Sequence, residues 1–170
     1  NYSETSTSRS NNYNHRLNLR LEAKLDSMNS ITIQPRVSLQ MNDGKSNLFG
    51  ENTQSVVISN INNNYKSYLQ AYTISLPITF RHSFPKKGRT VSLDINPGYN
   101  SSGGNSNMQT FNRFYTDTAY TDSLDQRSVL EKYGFTSSSN ITYTEPLGKS
   151  GFLSLNYIFT YNYSSSDKNT

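Results

Sequence analysis

NHRLNLRLEAKLD, residues 14–26, decides how this chain is read. Leu17, Leu19, Leu21, Ala23 and Leu25 occupy alternate positions, and Asn14, Arg16, Asn18, Arg20, Glu22 and Lys24 lie between them. A 3.6-residue period would scatter both sets around a helix, whereas a period of two places each on its own face. The segment is an amphipathic strand.

Working outward, Asp26-Ser27-Met28-Asn29-Ser30 supplies turn chemistry, and alternation resumes through Ile31, Ile33, Pro35, Val37, Leu39 and Met41. A second hairpin rises through Tyr68, Gln70, Tyr72, Ile74, Leu76, Ile78, Phe80 and His82, turns at Pro85-Lys86-Lys87-Gly88-Arg89, and returns through Val91, Leu93, Ile95, Pro97 and Tyr99. A third runs through Tyr133, Phe135, Ser137, Ser139, Ile141 and Tyr143, turns at EPLGKSG, and returns through Leu153, Leu155, Tyr157, Phe159, Tyr161 and Tyr163. The expected fold is all-β: an antiparallel up-and-down meander of about six long strands in three hairpins, near 11–25, 31–42, 65–84, 90–100, 131–144 and 152–164. Residues 43–64 and 101–130, rich in Asn, Ser, Gly and Thr, read as two long loops, with Val56-Val57-Ile58 a short strand extension inside the first.

Composition narrows the setting. Only 32% of the 170 residues are hydrophobic, and mean hydropathy is −0.75. Such polarity usually accompanies disorder, but disordered chains are poor in aromatics and this one has 13 Tyr and 8 Phe. A transmembrane barrel accounts for both, because it shows lipid and water alternate residues and carries aromatic girdles at the membrane boundaries. The net charge of +4 is scattered apart from Lys86, Lys87 and Arg89, with no basic stripe of stacking aromatics, so nucleic acid is not the expected partner. Without cysteine there is no disulfide frame, thiolate metal site or cysteine nucleophile.

Spacing supplies a direction. Three connections of about five to seven residues alternate with two of more than twenty, the asymmetry of barrels with short periplasmic turns and long extracellular loops. Ten residues rise about 33 Å, and a tilt of roughly 40–45° brings that close to the apolar band of an outer membrane, about 25 Å tall. Leu17, Leu19, Leu21, Ile74, Leu76, Leu155, Tyr157 and Phe159 read as lipid-facing, with Tyr68, Tyr72, Tyr99, Tyr133, Tyr161 and Tyr163 as girdle residues near the long-loop ends. Arg16, Arg20, Glu22, Lys24, Arg36 and Arg81 read as lumen-facing, either lining an anion-attracting passage or stiffening a wet interior. Both termini fall on the long-loop side, so residues 1–170 are expected to be an internal section of a larger barrel. Pro35, Pro77 and Pro97 sit inside three strands and are expected to mark bulges.

NHRLNLRLEAKLDSMNSI, FRHSFPKKGRTVSLDI and YTEPLGKSGFLSLNY together resemble the periplasmic hairpins of the TonB-dependent-receptor-like outer-membrane barrels of Bacteroidetes. The resemblance covers nearly all of the chain and carries fold signatures without catalytic content. It implies a barrel of about 22 strands, an N-terminal plug, a TonB or surface-lipoprotein partner, and energised import of a scarce ligand such as a metal chelate, a cobalamin or a glycan. The rival readings are a soluble extracellular β-structured adhesion or scaffold protein and, more remotely, an outer-membrane hydrolase.

Candidate chemistry is sparse. His15 and His82 lie in different hairpins near opposite ends of their strands, a poor start for a zinc site that needs three or four converging ligands. Asp117, Asp122 and Asp125 are weak candidates for calcium in a loop, although the glycine turn of an EF-hand is missing. The serines have no His and acid partners identifiable from spacing, so no catalytic residue, enzyme activity or cofactor is expected.

Overall fold

Alternating apolar and polar residues favour extended chain, and extended chain needs neighbours to satisfy its amide groups. In the computed structural model, which describes residues 1–115, 118–148 and 150–170, each interior strand finds them in neighbours on both sides. The elements are β1 (Tyr2–Asn18), β2 (Leu21–Lys24), β3 (Asn29–Ile33), β4 (Arg36–Thr53), β5 (Val57–Ser75), β6 (Ile78–Ser83), β7 (Thr90–Phe114), β8 (Tyr120–Leu147) and β9 (Gly151–Asn169). Among the described residues β1, β2 and β9 pair on one side. All pairings are antiparallel, and the sheet curls into half a barrel.

The nine strands form six continuous runs, because β1–β2, β3–β4 and β5–β6 are each one strand interrupted for two residues. Register proves the continuity. Asn18 opposes Arg36 and Leu21 opposes Ile33, so both sides skip the same number of residues. Arg36 opposes Ser75 while Ile33 opposes Ile78, and Ser75 opposes Gly98 while Ile78 opposes Ile95.

The interruptions are prolines, and the expected bulges do not occur there. Leu19 N–H donates to the Pro35 carbonyl at 3.0 Å, Gln34 N–H to Pro77 at 2.8 Å and Leu76 N–H to Pro97 at 2.9 Å. Each proline keeps the accepting half of its pair and lacks the donating half, since its nitrogen carries no hydrogen. Register survives because one missing bond removes neither residue from the pleat. Among the described residues a register shift lies higher, between Asn52 and Thr53.

The largest departure from expectation concerns residues 43–64 and 101–130. They are not long loops: β4 and β5 pair through Asn52 and Ser59 with a tight turn at 54–56, and β7 and β8 pair up to Phe114 opposite Tyr120. Residues before 11, outside the first expected strand, pair with β4 from Tyr2 onwards. Asn, Ser and Gly are weak strand formers alone, but a strand already aligned on both sides supplies the ladder bonds that propensity does not. The asymmetry between the two ends therefore comes from strand overhang.

At the other end the turns are short, as expected. Asp26 accepts from the Met28 and Asn29 amides at 2.7 and 2.8 Å and from Asn29 Nδ2 at 2.7 Å. These donors hold its carboxyl below the usual range, the Asn29 side chain contributing most. Gly88, with φ of 89°, takes the left-handed position that closes the 84–89 turn.

Among the described residues no hydrophobic side chain is buried, so the sheet has no core of its own. Its apolar residues are instead displayed. Directly opposed residues share a face, and one cross-strand row reads Leu17, Val37, Ile74, Tyr99, Phe135, Tyr163; two residues towards the short turns it reads Leu19, Pro35, Leu76, Pro97, Ser137, Tyr161. The next two rows are Leu21, Ile33, Ile78, Ile95, Ser139, Phe159 and Ala23, Ile31, Phe80, Leu93, Ile141, Tyr157. All six runs therefore place their apolar sets on one side.

That side is convex. Through β4 and β8 the exposed positions are Asp43, Lys45, Asn47 and Phe49 and Asp125, Arg127, Val129 and Glu131, while Gly44, Ser46, Leu48 and Gly50 and Gln126, Ser128 and Leu130 between them are more covered. Gly104 and Gly134 lie on the covered face: a Cβ at Gly104 would meet the Tyr68 carbonyl, and one at Gly134 would lie 3.1 Å from the Tyr163 carbonyl. Curling towards the polar face makes these approaches tight.

Candidate functional site

Two surfaces carry the chemistry of this sheet: the concave face, and the convex face where the apolar band ends. Arg16, Arg20, Glu22, Lys24, Arg36 and Arg81 all lie on the concave face, in the half nearer the short turns. Arg20 pairs with Glu22 along the strand, and Arg36 Nη2 donates to Gln34 Oε1 at 3.1 Å. Thr79 Oγ1 donates to Asp94 Oδ1 at 2.6 Å on the same face. The arginines are spread over several rows and do not converge on one point.

Higher on the concave face the sequence reading missed a second feature. Above the row of Tyr72 and Tyr133 the alternation largely inverts: Asp43, Lys45, Lys66, Asp125, Arg127 and Glu131 take the convex side, and apolar residues move to the concave side, where Lys132 and Lys168 are the cations beside them. Leu48, Ile61, Tyr65, Leu69, Met108 and Leu130 share the concave face there with Asn, Ser and Gly. A hollow of about 350 Å³ opens between Leu69 and Leu130, with Asn42, Ser67, Ser106 and Lys168 around it. A smaller one of about 210 Å³ holds Thr73, Asn100, Ser102 and Lys132. Amide, hydroxyl and ammonium groups beside two leucines suit a polar ligand with some apolar surface. The signal was present as Asp43-Gly-Lys45-Ser-Asn47-Leu48 and Leu124-Asp-Gln126-Arg-Ser128-Val-Leu130, a period of two with reversed polarity.

On the convex face Leu17, Leu19, Leu21, Ile74, Leu76, Leu155, Tyr157 and Phe159 form the band, all exposed, from 37% at Leu76 to 67% at Tyr157. Tyr72, Tyr99, Tyr133, Tyr161 and Tyr163 border its upper half, and Tyr68 stands above it. Tyr72 and Tyr99 have ring centroids 6.0 Å apart, and Tyr133 and Tyr163 6.2 Å.

At the short-turn end one carboxylate ties two hairpins together. Glu145 accepts from Arg89 Nε and Nη2 at 2.6 and 2.8 Å, from Lys86 Nζ at 2.6 Å and from the Tyr143 hydroxyl at 2.7 Å. These donors, Arg89 first, hold its carboxyl well below the usual carboxylate range. His82 Nδ1 lies 2.7 Å from Asn29 Oδ1, and its ring meets Phe84 edge-on at 4.5 Å. His15 lies ten residues of strand away at the other border of the band, so the two histidines do not meet.

The aspartates expected to be candidate metal ligands are separated. Asp122 and Asp125 lie on opposite faces of β8, and Gln109 Nε2 donates to Asp125 Oδ2 at 3.1 Å. Asp117 lies outside the described residues.

No family model matches the chain, and no curated protein matches it. Among solved structures it is similar to the RagAB peptide importer in the 'open-open' state, with 14% identity and a TM-score of 0.54 over 98% of this chain. The chain spans 19% of the length of that protein. At this identity the likeness is one of fold alone. Clostridium perfringens delta-toxin aligns with 85% of this chain and 95% of its own at 8% identity, but its TM-score of 0.24 carries no argument.

Proposed function

We propose that the chain is a section of the wall of a bacterial outer-membrane β-barrel importer, of the TonB-dependent kind, taking up a scarce ligand such as a metal chelate, a cobalamin or a glycan. The observation that carries the reading is the convex band: six runs placing their apolar residues on one exposed face over about ten residues, the height of an outer-membrane hydrocarbon layer. The concave face then lines the lumen, with its arginines against a plug. The short turns lie in the periplasm, and the overhanging part of β4, β5, β7 and β8 forms an extracellular vestibule whose inner wall offers ligand the hollows around Leu69, Leu130 and Lys132. A surface lipoprotein and an energy-coupling protein are the partners this reading assigns to the whole protein.

Uptake by cells with and without the protein tests it. Accumulation of the ligand should require the protein and cease when a protonophore collapses the inner-membrane proton gradient. Uptake that needs the protein but ignores the protonophore makes it a passive pore, and a protein recovered from the soluble fraction removes the barrel.

A further inference from the structure

On the convex face, just above the last apolar row, the surface is hollowed into a groove of about 560 Å³ across β5, β7 and β8. Its rim is Tyr68, Tyr72, Tyr99 and Tyr133, its floor includes Ser101 and Gly103, and Gln70, Asn105, Arg127 and Glu131 supply donors and acceptors. Gly103 faces this side, and a Cβ there would meet nothing closer than the Leu130 carbonyl at 3.4 Å, so the space above it is open.

We propose that this groove binds the sugar headgroup of an outer-leaflet glycolipid. The inference rests on the reading that the convex band meets lipid. Three observations lead to it. The groove is continuous with the band on the same face, so its occupant stands among the headgroups of the neighbouring leaflet, outside the lumen. Its walls combine exposed tyrosine rings with amide, hydroxyl, guanidinium and carboxylate groups, which suits a pyranose: its C–H face stacks on a ring while its hydroxyls pair around the edge. An acyl chain or a simple phosphate uses only part of that set. The groove is also complete within three interior runs, each flanked by strands of this chain, so its walls need no further strand.

Native mass spectrometry of the full-length protein in detergent, after exposure to rough lipopolysaccharide, phosphatidylethanolamine or free core oligosaccharide, provides the test. The wild type should retain lipopolysaccharide. Gly103→Trp, which fills the groove, should lower retention about tenfold while phosphatidylethanolamine retention stays unchanged. Tyr99→Ala combined with Tyr133→Ala removes the rim without adding bulk and should give the same loss, so misfolding of the tryptophan variant does not decide the result. Free core oligosaccharide, which carries the same sugars, should compete for the wild-type groove. Equal lipopolysaccharide retention in wild type and variants overturns the proposal, as does retention that free oligosaccharide in excess does not lower. Variants that lose a co-purifying protein and keep their lipopolysaccharide overturn it in favour of a protein interface. A wild type that retains no lipid of any kind removes the membrane reading itself.

Discussion

Replacing Leu76 by Arg places a charge at the centre of the convex band. Leu76 lies six residues from the row of His82 at the short-turn border and four from the row of Tyr72. Six residues rise about 20 Å along a strand, and a tilt of roughly 40–45° makes that about 14 Å across the membrane, near the midplane of a band about 25 Å tall. Arginine on the lipid face costs about 2–4 kcal/mol at the midplane and about 0–1 near the interfaces. At about 1.4 kcal/mol per tenfold, Leu76→Arg should lower the folding equilibrium by a factor of roughly 30 to several hundred. Tyr68→Arg, eight residues higher on the same face, should change it less than about fivefold. Thr73→Arg, on the concave face between Ser38 and Asn100, should be equally mild. Denaturant titration of the full-length protein in lipid vesicles, followed by the heat-modifiable mobility of the folded barrel, measures all three. Equal cost for Leu76→Arg and Thr73→Arg refutes the assignment of faces, and equal cost for Leu76→Arg and Tyr68→Arg refutes the depth.

Glu145→Gln should lower the denaturant midpoint at pH 7. Because the folded carboxyl is depressed, that stabilisation is complete above the unfolded value of about 4.3 and fades as pH falls through the folded one, so wild type and variant should converge in acid. Gly104→Val drives a side chain into the Tyr68 carbonyl and should cost about 1–3 kcal/mol or more, whereas Gly103→Ala, on the open face of the same strand, should cost less than about 1; unfolding midpoints compare them. Pro97→Val restores an N–H opposite Leu76, whose carbonyl lacks that donor, and hydrogen exchange should find the new amide protected like its neighbours in β7.

Much of the architecture was legible because burial demand and strand period coincide. Leu17 to Leu25, Tyr72 to Phe80 and Leu153 to Tyr163 each declare a face, and the pairing register sets those faces side by side. Turn residues at 26–30 and 85–89 located the hairpins. The upper halves of β4, β5, β7 and β8 were not legible as strand, because Asn60 to Asn64 and Ser101 to Asn107 have poor strand propensity and are held by cross-strand bonds no local pattern reveals. Their reversed polarity hid them further: a search for apolar residues in the lower phase passes over Leu48, Leu69 and Leu130. The concave hollows and the tyrosine-rimmed groove depend on which residues of three strands share a row, information held in register alone. The prolines misled for a related reason. Pro35, Pro77 and Pro97 weaken a ladder when taken singly, and only the continuous register shows the sheet running through them.

The chain contains no cysteine, so single cysteines carrying a nitroxide can be placed along β5–β6 at positions 72, 73, 74, 75, 76, 78 and 79. Collision rates with oxygen, which concentrates in lipid, and with a nickel chelate, which stays in water, report which medium each side chain meets. In the full-length protein in bilayers, positions 72, 74, 76 and 78 should favour oxygen, most strongly near 76, and positions 73, 75 and 79 should favour nickel. Nickel access along the whole strand, or no alternation between neighbours, contradicts a convex face built for lipid.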